Sequence, residues 1–160
     1  MLYDNKHFSR KHTIKIYAKQ NNKLLDLLLS FIWNYSLDNE EWREIKGLEG
    51  RYYISNYGRV LSLCCDGYKL LRPFTCGDGY DYVDLRVNNK DVKSRVHRLV
   101  ANAFVPNPDD KPIVHHKDCD RKNNKADNLV FLTNEEHGKE HKEINQQKKD
   151  QGNEKLFSPL

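Results

Sequence analysis

Five side chains in one short stretch set the chemical problem. Residues 113–141 contain His115, His116, His137 and His141, four of the seven histidines of the chain, with Asn128 between the two pairs. Histidine is both the commonest metal ligand and the side chain that exchanges protons near neutral pH. His137 and His141 are spaced i, i+4, so on a helix they share one face and can share a metal ion. His115 and His116 are adjacent at the end of an apolar run. On an extended chain they point to opposite sides, so one can bind a metal while the other faces a different part of the same cleft. Asn128 can both donate and accept, and at the end of a polar loop it can bond backbone groups and hold His116 in place. Three imidazoles from two elements, with positions left for water and substrate, are the pattern of a catalytic site rather than a closed structural one.

The elements that must position these groups are legible as patterns. Ile113 to His116 and Leu129 to Leu132 read as short strands flanking a polar loop. Thr133 and Glu136 form a capping box, so a helix is expected to begin just after Thr133 and to run to about Lys149. Upstream, Tyr52 to Ser55 and Arg59 to Leu63 flank an Asn56-Tyr57-Gly58 turn and read as a hairpin, with a further short strand at Lys69 to Arg72. A second hairpin turns at Asn88-Asn89. Val83, Leu85 and Val87 alternate on one of its faces, and Tyr82, Asp84 and Arg86 on the other. His97 to Phe104 shifts to helical spacing, stopped by Pro106 and Pro108. For the tyrosines of these hairpins, core packing is the expectation.

Charge points to a polyanion. Residues 1–24 carry six basic side chains against Asp4, and residues 59–98 carry eight against five acids. The four cysteines, Cys64, Cys65, Cys76 and Cys119, form no C-x-x-C pair, which argues against a cysteine zinc site. The most apolar segment, Leu24 to Trp33, is interrupted by Asp26 and Ser30 and is too short for the roughly 20 residues of a membrane span. An intracellular protein with reduced thiols, no membrane association and no obligate protein partner is expected.

The segment V-H-H-K-D-x-D-x-x-N-N-x-x-x-N-L-V-F-L-T, with His137 following it, resembles the HNH nucleases of ββα-metal fold. Val96 to Pro108 resembles the segment that precedes this motif in phage and intron-borne HNH homing endonucleases. The run from Glu41 to Leu63 resembles the small N-terminal module often attached to them. The resemblance implies an α+β fold: small antiparallel β hairpins followed by a ββα-metal (His-Me finger) nuclease motif. It divides the chain into a basic, amphipathic extension (1–39), a small β module (40–72), a nuclease domain (73–150) and a flexible tail (151–160). It further implies a DNA endonuclease or nickase. His116 stands at the general base and Asn128 at the orienting position. His115, His137 and His141 stand at the ligands of one divalent ion. Magnesium or manganese is expected from the family, while the three imidazoles also suit zinc or nickel. Arg59, Arg86, Lys93, Arg95, Arg98 and His97 are candidate DNA contacts on or beside the hairpins. The alternative is a DNA-binding protein that keeps the ββα unit only as a structural or degenerate zinc module.

Overall fold

The computed structural model describes residues 29–32, 34–64 and 67–154. Three antiparallel sheets follow one another along the chain. The first has strands β1 (Trp42–Glu44), β2 (Tyr52–Ser55), β3 (Val60–Cys64) and β4 (Gly67–Leu71), in that order. The second is β5 (Phe74–Thr75), β6 (Asp81–Val87) and β7 (Lys90–Arg95). The third is the pair β8 (Ile113–His116) and β9 (Leu129–Leu132). Helix α1 (Val96–Phe104) joins the second sheet to the third, and α2 (Asn134–Glu154) follows β9. No helix among the described residues is long and apolar enough to cross a membrane.

Both expected hairpins form. Asn88 and Asn89 take φ of 49° and 63°, the two positive values that a two-residue turn of this hand requires and that asparagine tolerates best after glycine. In β6, Val83 and Leu85 are buried while Asp84 and Arg86 are exposed, as the alternation predicts. β1 and β5 are too short to carry a period of two, and the sequence pattern did not reveal them. The capping box is made in full. The Thr133 backbone N–H donates to Glu136 Oε2 at 2.7 Å, and the Glu136 N–H donates to Thr133 Oγ1 at 3.2 Å. α2 continues past the expected Lys149 to Glu154, through Asp150, Gln151, Gly152 and Asn153, although Asp, Gly and Asn are weak helix formers. The expected helix over Leu24 to Trp33 lies mostly outside the described residues, but residues 29–32 and 34–35 are helical.

One core joins the three sheets. Tyr52, Ile54 and Val60 from the first meet Val83 and Leu85 from the second. Val96, Val100 and Ala101 of α1, with Val114 and Leu129 of the third, complete it. β2 is buried along its whole length because its other face is covered too: Tyr53 packs with Leu61, Leu63 and Trp42 against Phe31 and Ile32 of the preceding helical turn. Tyr52 and Tyr53 are therefore core residues, as expected.

Arg59 closes this second cluster. Its Nε donates to Glu40 Oε1 at 2.7 Å, and a terminal nitrogen contacts Glu40 Oε2 and donates to the Tyr35 carbonyl at 2.9 Å. The Glu40 side chain is fully buried. Arg59, a candidate DNA contact on sequence grounds, is thus committed inside the protein, where it neutralises a buried carboxylate. Removing one partner of such a pair leaves a charge without compensation. Arg59→Ala is expected to destabilise the fold by about 3 kcal/mol, read as a lower urea midpoint with unchanged slope.

Candidate metal and nucleic-acid cleavage site

The third sheet and α2 build the site from backbone periodicity. His115 and His116 end β8 and leave it on opposite sides; both are buried. On one side the His115 ring stands 5.2 Å from that of His137 and 5.5 Å from that of His141 on α2. On the other side the His116 ring lies 5.0 Å from that of His97 on α1 and 6.0 Å from Tyr80. The two sides open into one cleft of about 140 Å³, lined by His115, His116, His137, His141, Tyr80, Arg121, Cys119 and Val114. The helix start at Asn134 sets the phase that puts His137 and His141 over β8.

Ligand nitrogens of His115, His137 and His141 lie within 4.8 Å of one another. Nε2 of His137 and Nε2 of His141 are 3.1 Å apart. Two nitrogens that each sit about 2.1 Å from one ion are separated by about 3.0–3.4 Å, so this pair is already at co-ligand spacing. His115 Nε2 is buried without a hydrogen-bond partner. A buried imidazole nitrogen left unpaired costs free energy unless something else binds it. The three residues therefore fit a single divalent ion. Burial, and then the neighbouring His137 and His141, push the His115 pKa below its ordinary value, which keeps its nitrogen in the deprotonated form that a metal needs.

The loop between β8 and β9 is held by its own polar groups. Asn128 Nδ2 donates to Asp118 Oδ1 and to the Asn123 carbonyl, both at 2.9 Å, and Asn128 Oδ1 accepts from the Asp118 N–H at 3.2 Å. The Lys117 N–H donates to the Asn128 carbonyl at 2.9 Å. Side-chain bonds from Asn123 and Asn128 hold the Asp118 carboxyl down at about 2. Asn128 bonds across the loop as its position suggested, while the residue that touches His116 is Asn124, whose Oδ1 is 3.4 Å from His116 Nε2. The first sheet braces this loop. The Ala126 N–H donates to the Asn56 carbonyl at 2.8 Å. Gly58, at φ +82°, sits so close that a Cβ there would stand 2.9 Å from the Asn124 Cβ.

The remaining sequence candidates divide into two groups. Arg95 stacks over Tyr80 and Tyr82 at 5.2 and 5.6 Å and bonds Tyr82 Oη and Asp78, and Tyr80 lines the cleft. Lys93 lies over Phe74 and Tyr82 on the same sheet, and Arg86 is exposed beside Asp91. Arg98 is exposed and donates to the Pro112 carbonyl at 3.0 Å. His97 is buried, and Arg59 is half-buried and paired with Glu40. Pattern reading passed over Asp81, Arg121 and Asn124, and it expected Tyr80 in the core, whereas Tyr80 is half-buried and lines the cleft. Asn124 reads as one loop-former among several, and Tyr80, Asp81 and Arg121 come together only when the second sheet packs on the loop.

Set beside known proteins, this arrangement defines a class. Residues 94–139 match the HNH endonuclease family and residues 40–86 match the NUMOD4 motif, so the chain carries an HNH endonuclease domain preceded by a NUMOD4 motif. Its relatives come from phages and a giant virus. It is 39% identical over 93 residues to the DNA endonuclease I-HmuI of Bacillus phage SP01, covering 58% of this chain and 52% of that one. It is 36% identical over 88 residues to the H-N-H endonuclease F-TflII of Escherichia phage T5, covering 54% and 45%. An uncharacterized HNH endonuclease of Acanthamoeba polyphaga mimivirus, L245, is 37% identical over 108 residues, covering 64% and 32%. The chain thus spans about half or less of the length of these relatives. A solved structure described as DNA binding and cleavage by the HNH homing endonuclease I-HmuI superposes with a TM-score of 0.61 at 35% identity, covering 66% of this chain and 59% of that one. The α+β fold of antiparallel hairpins followed by a ββα unit is that fold.

His97 gives the site a pH signature of its own. Burial first, and then the neighbouring His116, Arg95 and Arg98, lower its pKa from 6.5 to about 4. The folded state therefore binds fewer protons than the unfolded state between these two values. Stability from this group is present above about 6.5 and is lost as pH falls towards 4. The urea midpoint is expected to drop across that window, and His97→Gln is expected to flatten part of the drop.

Proposed function

We propose that this chain is a metal-dependent DNA endonuclease or nickase of homing type, hydrolysing phosphodiester bonds. The observation that carries the reading is a single cleft in which a three-imidazole cluster and a separate histidine, His116, flank the same space. A closed structural zinc module has no use for that fourth imidazole, and the catalytic reading is preferred for this reason.

In this reading His115, His137 and His141 hold one divalent ion. When bound, that ion supplies positive charge beside the scissile phosphate and offsets the negative charge developing on the leaving 3′ oxygen. His116 takes the proton of an in-line water, a contribution typically worth about 10²–10⁴ in rate. Asn128 acts one step back by fixing the loop that carries the base. The exposed or half-exposed Arg86, Lys93, Arg95 and Arg98, on β6, β7 and α1, contact phosphates, whereas Arg59 and His97 serve the fold. The all-nitrogen donor set favours manganese, zinc or nickel over magnesium, which prefers oxygen.

Supercoiled plasmid with Mg²⁺, Mn²⁺, Zn²⁺, Ni²⁺ or EDTA tests this. Cutting is expected with at least one ion and none with EDTA; nicked circles indicate a nickase and linear product a double-strand cutter. His116→Ala is expected to lose cleavage by at least about 10² while retaining DNA affinity in a gel-shift titration. Full activity in that variant sinks the assignment of the base. His137→Ala and His141→Ala are each expected to weaken metal binding, measured by calorimetry, and to cut poorly even when metal is raised.

A further inference from the structure

The contact between His116 and Asn124 extends one residue further, to the second sheet. Asn124 Nδ2 donates to Asp81 Oδ2 and to the Lys122 carbonyl, each at 3.2 Å. Both neighbours are acceptors only, so they fix which way round the amide lies. The atom left facing His116 is Oδ1, at 3.4 Å from Nε2. An amide oxygen cannot donate. The contact is a hydrogen bond only when His116 carries its proton on Nε2. Asp81 is itself pinned. Its Oδ1 takes Lys122 Nζ at 2.6 Å and the Thr75 hydroxyl at 3.1 Å, which leaves Oδ2 for Asn124. Asn124 is buried, and its Cβ packs against Gly58.

We infer that Asp81, acting through Asn124, is a positioning residue that holds His116 in its Nε2–H tautomer and so leaves Nδ1 as the atom that accepts a proton from water. This rests on the reading of His116 as general base. Asp81 stands at the start of β6, outside the ββα unit. It selects which nitrogen of the base is available. The proton taken from water ends on His116 Nδ1, and the Nε2 proton stays where it is.

Asp81→Asn is the discriminating variant because it keeps the shape and reverses the polarity. An amide at position 81 satisfies Lys122 with its oxygen and then presents its NH₂ to Asn124. Of the two acceptors that orient the Asn124 amide only the Lys122 carbonyl then remains, so part of the population turns its Asn124 oxygen to the new NH₂; there the Asn124 NH₂ faces His116, which has to accept on Nε2 and carry its proton on Nδ1. Histidine ¹⁵N spectra of the full metal-free chain report the tautomer directly, with His116 assigned by comparison with His116→Gln. They are recorded roughly two pH units above the ordinary histidine value of about 6.5. The expected result is Nε2–H in the wild type and a shift to Nδ1–H in Asp81→Asn. In the plasmid assay, kcat of the variant is expected to fall roughly tenfold or more with KM nearly unchanged, a fraction of what a whole general base contributes. Nδ1–H in the wild type overturns the inference. So does an unchanged tautomer in Asp81→Asn, or a rise in KM with kcat intact. Should Asp81→Asn not fold, Asn124→Ala removes the acceptor instead, and a His116 that remains wholly Nε2–H there also counts against it. The two readings fail separately: a tautomer that responds to Asp81 in a chain that cuts no DNA removes the nuclease reading alone. Cutting with a tautomer indifferent to Asp81 removes only the positioning role.

Discussion

The whole site depends on a polar loop, residues 117–128, being held in one shape with almost no apolar side chains of its own. A loop of this length cannot be fixed by burial of hydrophobic surface, so its backbone groups and amides must satisfy one another. Asn128 does most of this with three side-chain bonds and two backbone bonds. Cys119, at φ 62°, takes the left-handed turn that lets the chain reverse just beyond His116. Because the loop is closed by directional bonds, its shape is specific. Losing one of the Asn128 side-chain bonds leaves an atom of a buried polar side chain unpaired.

The loop is also clamped from outside, which gives the preceding β module a physical reason to be there. Its first hairpin turn delivers the Asn56 carbonyl to Ala126 and brings Gly58 into contact with Asn124. The Lys125 ammonium lies 5.4 Å from the Tyr57 ring in the same contact. Ile54 and Val60, either side of that turn, share a core with Val114 and Leu129 of the third sheet. The NUMOD4 and HNH segments are therefore separate as sequence motifs and continuous as packing. A change in the turn reaches the cleft through a few rigid contacts.

What was legible in the sequence follows from where the information is local. The capping box, the Asn88-Asn89 turn and the alternation of Val83 and Leu85 are each written within a few residues, and each forms as read. The i, i+4 spacing of His137 and His141 becomes a ring separation of 4.4 Å for the same reason. The Arg59–Glu40 pair was not legible because a basic residue beside a hairpin looks the same whether it faces solvent or a buried Glu40; the pairing joins residues 19 positions apart. Asp81 and Asn124 are 43 positions apart. Nothing in either neighbourhood marks one as the partner of the other, so only the packing of the second sheet on the loop reveals them.

The adjacency of His115 and His116 ties the two halves of the site together. A strand sends neighbouring side chains to opposite faces, so in the proposed reading the ligand His115 and the base His116, side by side in sequence, are forced apart in space while staying at a fixed spacing. One faces α2 and the other faces α1. A proton acceptor sharing the face of a cationic site would be a ligand instead. Separation by the strand lets His116 keep its lone pair for water while its ring stays within one cleft of the cluster. The two faces demand different surroundings, and the fold supplies them. The ligand face leaves the His115 Nε2 bare. The base face gives Nε2 an amide oxygen that can accept but never donate. The same nitrogen of two neighbouring residues is thereby suited to two different tasks, and the difference lies entirely in what the neighbouring elements bring to it.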